Sequence, residues 1–254
     1  MIPLNRFNGT KYMTSFRKVT INSESLKLEG VLCEPTKSKG VGILFLHGGG
    51  NSNAERYHDV QAFFADHGVT SLAFSFRGCG KSEGELYQSN LQDRLVDAES
   101  ALTTFKSLID LSDDKIFLWG SSMGGHIACK LISKHISIRG IILQSAAAYG
   151  KIAESVNFGS QFTQIIQQEN IWKESQAFSC LSTYSGPSLI LYGADDTVIP
   201  EDVKDSFQRC STHSTLHKIE GYGHTMLRPT SEVEKLAWNQ MVNLGLNFIV
   251  ENQI

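Results

Sequence analysis

The sequence has no apolar stretch approaching the roughly 18 residues of a membrane-spanning helix. Its longest dense apolar runs are residues 41–46 and 140–143. Lysine and arginine form no cluster, and 23 of them stand against 26 acidic residues, a formal charge of −3. A nucleic-acid binder carries a basic stripe, so that function is excluded as an expectation. Cysteines number five, an odd and scattered set (Cys33, Cys79, Cys129, Cys180, Cys210) with no C-x-x-C. This argues against a disulfide framework and for free thiols in a reducing cytoplasm. Residues 1–6 lack the apolar segment of a secretory signal. No internal repeat or low-complexity linker is visible, and only 5 prolines interrupt the chain. What is present is ordinary globular material: 254 residues, 41% hydrophobic and 19% charged, a length that suits one α/β domain.

Two amphipathic runs, 16–21 and 26–33, open the chain and read as a hairpin. Short, continuously apolar runs follow at 41–46, 69–76, 115–119, 139–143 and 187–192, with a weaker one at 215–219. Continuous apolarity marks strands covered by helices on both faces. Helical periodicity fills the intervals at 53–67, 91–109, 122–135, 201–208 and 231–250. The alternation predicts an α/β fold: a mostly parallel, doubly wound sheet of about eight strands with helices on both faces. Residues 145–186 are too long for a simple connection. They are expected to form a small cap, with a helix through Gln161, Gln164, Gln167 and Gln168.

Chemistry concentrates in two motifs. The strand-like run 116–119 enters Gly120-Ser121-Ser122-Met123-Gly124, a G-x-S-x-G followed by a helix. A nucleophile in a strained strand-to-helix turn needs small residues two before and two after it, which Gly120 and Gly124 provide. The helix behind it aims N–H groups and a positive dipole end at developing negative charge. The second motif, His47-Gly48-Gly49-Gly50, ends an earlier strand. Its glycines let the backbone approach a ligand and leave N–H groups free.

These motifs resemble those of the α/β-hydrolase superfamily over almost the whole chain. Within it the chain is most similar to the dienelactone-hydrolase-like and prolyl-oligopeptidase-like serine esterases. The resemblance implies Ser122 as nucleophile and an oxyanion hole from the N–H groups of Met123 and Gly49, with His47 orienting the loop. A serine nucleophile needs a general base. His58, His67, His126 and His135 fall on expected helices. His213 and His217 have i, i+4 spacing but no third ligand nearby, so no metal site is expected. His224 stands in a glycine-rich loop after the last strand, where the superfamily carries its base. For the orienting acid the chain offers adjacent Asp195 and Asp196. The family pattern G-x-x-D-x-x-[VI]-P, laid on Gly193 and Pro200, selects Asp196. The other acid position of the superfamily holds Gln144 and Ser145, which cannot serve.

Departures narrow the expectation. Strict dienelactone hydrolases use cysteine and haloalkane dehalogenases use aspartate where this chain has Ser122. The peptidase relatives carry an N-terminal propeller, and only about 40 residues precede the first core strand here. Residues 77–84 resemble the R-G-x-G-x-S loop of the superfamily, a turn or a substrate contact, with Cys79 a possible exposed thiol. The expected activity is hydrolysis of small-molecule carboxylic esters with small to medium acyl groups, without cofactor. Thioester or small-peptide and amide cleavage, and a non-enzymatic receptor, are the alternatives. Phe158, Phe162, Trp172 and Phe178 should give the cap an apolar lining.

Overall fold

Strands β1 (Ser15–Ser23) and β2 (Leu26–Glu34) form the expected hairpin, closed by two residues with Glu24 at φ 52°. The computed structural model describes residues 14–50, 52–224 and 229–253. Six more strands follow: β3 (Gly42–Leu46), β4 (Thr70–Phe74), β5 (Ile116–Ser121), β6 (Gly140–Gln144), β7 (Ser188–Gly193) and β8 (Ser214–Ile219). Every residue of β3 to β7 is buried. That accounts for their unbroken apolar character, since both sheet faces are covered.

The sheet order is β1-β2-β4-β3-β5-β6-β7-β8. Strands β3 to β8 are parallel and β2 runs antiparallel to both β1 and β4. From β3 the chain steps one way to β4, then returns across it to β5. Such a reversal opens a crevice at the carboxyl ends of β3 and β5, where open α/β sheets bind ligands.

Helices α1 (His58–Asp66) and α7 (Glu232–Asn252) cover one face, packed on Phe45, Phe117, Trp119 and Leu191. Helices α2 (Leu91–Ile109), α3 (Met123–Lys134) and α6 (Glu201–Cys210) cover the other. The starts of α2 and α7 are fixed by capping boxes, Asn90 with Asp93 and Ser231 with Glu234. Residues 54–57 of the expected first helix form a 3-10 turn instead, with Tyr57 buried beneath it.

The segment between β6 and β7 carries α4 (Ser160–Ile166) and α5 (Gln176–Ser182), the latter packed against α3 and α6. Gln161 and Gln164 lie in α4, while Gln167 and Gln168 fall beyond its end. Phe158, Phe162 and Phe178 are buried against the main core and Trp172 packs beside them. Among the described residues no helix is long and apolar enough to cross a membrane.

Candidate active site

At the end of β5 the backbone turns sharply into α3 through Ser122, whose φ of 52° and ψ of −119° lie where side chains rarely go. The turn is held by close packing. A Cβ on Gly120 would lie 2.5 Å from the Gly124 carbonyl oxygen, and one on Gly124 would collide with the Leu46 carbonyl. Ser122 itself is fixed through its backbone, donating to the Gln144 carbonyl at 2.9 Å and accepting from Ala147 at 3.0 Å.

The structure brings Ser122, His224 and Asp196 together from three strand ends. His224 Nε2 is 3.0 Å from Ser122 Oγ, and Nδ1 is 3.1 and 3.2 Å from the two Asp196 carboxylate oxygens. Asp196 Oδ1 also accepts from the N–H groups of Val198 and Ile199 at 2.9 and 3.2 Å. Burial would raise its pKa, but the His224 hydrogen bond and charge, with those two N–H groups, outweigh it and hold the carboxyl below its ordinary value. Neighbouring Asp195 is exposed. Residues 225–228, next to His224, lie outside the described residues.

Gly49 and Met123 also meet: a Cβ on Gly49 would sit 3.1 Å from Met123 Cε. The Met123 N–H opens α3 and has no intrahelical acceptor. His47 is buried, with Nδ1 2.8 Å from the Gly48 carbonyl and Nε2 accepting from the Phe76 N–H at 3.1 Å. Those partners assign a neutral ring with its proton on Nδ1. Burial, then the nearby Arg94 cation, push its pKa well below the ordinary value.

One expectation changes on contact with the fold. Cys79 is not an exposed thiol: it is fully buried, its sulfur 3.6 Å from the Gly50 carbonyl oxygen, and burial raises its pKa. The R-G-x-G-x-S loop acts as a buttress. Arg77 pairs with Asp97 at 2.8 Å, Glu24 at 3.0 Å and Asp93 at 3.1 Å, and Ser82 accepts from the Glu29 N–H at 2.9 Å. Among the described residues no cluster of His, Cys, Asp or Glu could hold a metal ion.

Two residues that the motifs do not mark sit against the site. Arg94 is 1% exposed and donates to the Gly48 carbonyl at 2.9 Å. The one clue in the sequence is an arginine on the apolar side of α2, beside Leu91, Leu95 and Ala98. Gln144 is the hub of a buried chain. Its Oε1 accepts from Trp119 Nε1 at 2.9 Å and Ser121 at 2.8 Å, and its Nε2 donates to the Tyr222 hydroxyl. Tyr57 donates to Ser121 at 3.0 Å, and Tyr222 to the Met241 sulfur at 3.1 Å.

Comparison with known proteins agrees with this architecture. The family profile described as serine aminopeptidase, S33, matches residues 37–177, and one for the α/β hydrolase fold matches 153–227. An uncharacterized protein of Rickettsia prowazekii (strain Madrid E) is 25% identical over 247 residues, 93% of each chain. Est1E from Butyrivibrio proteoclasticus, solved with bound ferulic acid, superposes with a TM-score of 0.72 at 21% identity, over 92% of this chain and 98% of that one. A thermophilic esterase from Thermogutta terrifontis gives 0.68 at 17% identity, over 94% and 100%. These two likenesses show the fold. Because the first profile spans more than half of its residues, this chain belongs to the serine aminopeptidase, S33, family of α/β hydrolases.

Proposed function

We propose that the protein is a serine hydrolase that cleaves small-molecule carboxylic esters of small to medium acyl groups by acyl transfer. The observation that carries this reading is the continuous line Asp196–His224–Ser122, each link at hydrogen-bond distance. Asp196 accepts from Nδ1, which leaves Nε2 free to take the Ser122 proton. Ser122 Oγ then adds to the ester carbonyl, and the oxygen that gains charge is met by the N–H groups of Gly49 and Met123. Collapse breaks the C–O bond as His224 returns the proton to the departing alcohol. Water enters next: His224 removes its proton, the hydroxide adds to the acyl-enzyme, and the acid leaves with Ser122 reprotonated.

The family description raises cleavage of an N-terminal amide as the second reading. An aminopeptidase must hold an ammonium group close to the scissile bond. Here the buried charge against the glycine loop is the cation Arg94, which repels an ammonium and favours neutral or anionic esters. Phe158, packed on Arg94, and Phe162, packed on Phe158, supply apolar side chains of the kind an acyl group needs.

The test is a panel of chromogenic esters, thioesters and aminoacyl amides, each run beside Ser122→Ala. Ester turnover should fall by a factor on the order of 10⁶ in that variant. Ester cleavage that survives the substitution, or amides preferred over every ester, would overturn the proposal.

A further inference from the structure

We propose that Arg94 is a positioning residue of the oxyanion loop, which turns the Gly49 N–H toward the substrate and strengthens it as a donor. This rests on the esterase reading above, and it concerns a residue outside all the motifs.

The argument starts with the Gly48–Gly49 peptide. In a trans peptide the carbonyl oxygen and the following N–H point in opposite directions. The Gly48 carbonyl is held from behind by two donors, His47 Nδ1 at 2.8 Å and Arg94 Nη1 at 2.9 Å. The Gly49 N–H therefore points the other way. The same loop lies against the nucleophile: a Cβ on Gly48 would lie 3.2 Å from Ser122 Cβ and 3.8 Å from Ser122 Oγ, and one on Gly49 3.1 Å from Met123 Cε. Among the described residues the Gly49 N–H has no acceptor.

Charge sets Arg94 apart from His47. The neutral ring of His47 fixes direction alone, whereas Arg94 brings a cation. A buried cation is expensive unless compensated, and carboxylates are its usual partners. Among the described residues none lies within ion-pair distance of Arg94. Its guanidinium is instead enclosed between the rings of Phe76 and Phe158, at 4.6 and 4.9 Å, with the Cys79 sulfur 3.8 Å from Nη2. Aromatic faces and a thiol stabilise the cation, and the nearby Asp97 carboxylate, itself paired with Arg77, acts on it without direct contact. The field acts along the Gly48 carbonyl, polarising the peptide so that its far N–H becomes more positive. The same field attracts the negative charge that forms on the substrate oxygen in the transition state. A planar guanidinium suits this slot between two rings, where an ammonium would not stack.

The experiment compares Arg94→Met and Arg94→Lys with the unaltered protein on an ester and on its thionoester, in which sulfur replaces the carbonyl oxygen. Sulfur is a weak acceptor, so the thionoester draws little from the oxyanion hole. Arg94→Met should lower kcat on the ester by about 10- to 100-fold with KM nearly constant, below the full loss of one donor because the Gly49 N–H remains. The thionoester should lose much less, and Arg94→Lys should fall between. Thermal unfolding checks that each variant is folded, and Arg94→Lys alone decides the matter if Arg94→Met is not. Ester kcat within about threefold of the unaltered protein in both variants overturns the proposal, as does an equal loss on ester and thionoester. Absence of Ser122-dependent turnover in the unaltered protein instead removes the esterase reading, and the Arg94 role with it.

Discussion

The hydroxyl of Ser121, one residue before the proposed nucleophile, donates a 2.8 Å hydrogen bond to the side-chain oxygen of Gln144 at the end of the next strand. Through the Gln144 amide this bond continues to Tyr222, two residues before His224. The Ser122 turn and the His224 loop are thus joined beneath the surface, although 102 residues separate the two side chains in sequence.

Replacing Gln144 with Leu should strand the buried Trp119 N–H and Ser121 hydroxyl. A buried donor left unsatisfied costs roughly 1–3 kcal/mol, so the midpoint of urea unfolding should drop clearly. Ester kcat should drop with it, because the loop of His224 loses its tie. Unchanged stability would show the network to be incidental.

Asp196→Asn should keep the fold and remove most activity, on the order of 10⁴ in kcat, by leaving the imidazole in the wrong tautomer. Asp195→Asn, one position away on an exposed side chain, should leave kcat close to that of the unaltered protein. Steady-state kinetics on one chromogenic ester separates the two. The reverse result would exchange their roles.

Arg77→Gln tests whether the R-G-x-G-x-S loop braces the fold or meets substrate. The change leaves Asp97 buried with no partner guanidinium, a loss of about 3–5 kcal/mol for a broken buried pair. Thermal unfolding should show that cost, while KM stays unchanged wherever the protein remains folded. A raised KM at unaltered stability would mean that Arg77 contacts substrate.

Stability should decline as pH falls below about 6.5, the ordinary histidine value. His47 and His126 are buried, and their folded pKa values are lowered, chiefly by that burial. His47 faces Arg94; His126 faces Glu154, Lys130, Tyr149 and Ser175. A depressed histidine means that the unfolded chain binds the proton first. Stability is full above the unfolded value and is lost as pH drops toward the folded one, at up to about 1.4 kcal/mol per pH unit for each ring. Urea titrations from pH 7 to 5 should show this slope, reduced in His126→Gln. A flat profile would contradict the burial argument.

Much of the fold is legible in the chain because its signals are local. Unbroken apolar runs mark strands whose two faces are both covered, and those runs appear as β3 to β7. Strand ends are less legible. β5 and β6 extend to the polar residues Ser121 and Gln144, which remain buried because each bonds to the other. Composition could not show that partnership. The glutamine-rich helix likewise ends at Ile166, short of Gln167 and Gln168, with Phe162 packed against Tyr149 and Phe158.

The site divides the same way. Glycines at fixed offsets announce a sharp turn after β5 and a close backbone approach after β3, since only a missing Cβ permits either; the order Ser122, Asp196, His224 follows from motifs written along the chain. Motifs are silent on what lies behind them. Burial of Cys79, the service of Arg77 to Asp97, the tautomer of His47 and the cation of Arg94 against Gly48 all depend on side chains that folding brings together from distant positions. Arg94 and Gly48 stand 46 residues apart. The sequence by itself determined which backbone turns this protein can make and which reactive groups they present. Only the tertiary structure decided how those groups are charged and aimed, because both depend on the dielectric and the neighbours that burial creates.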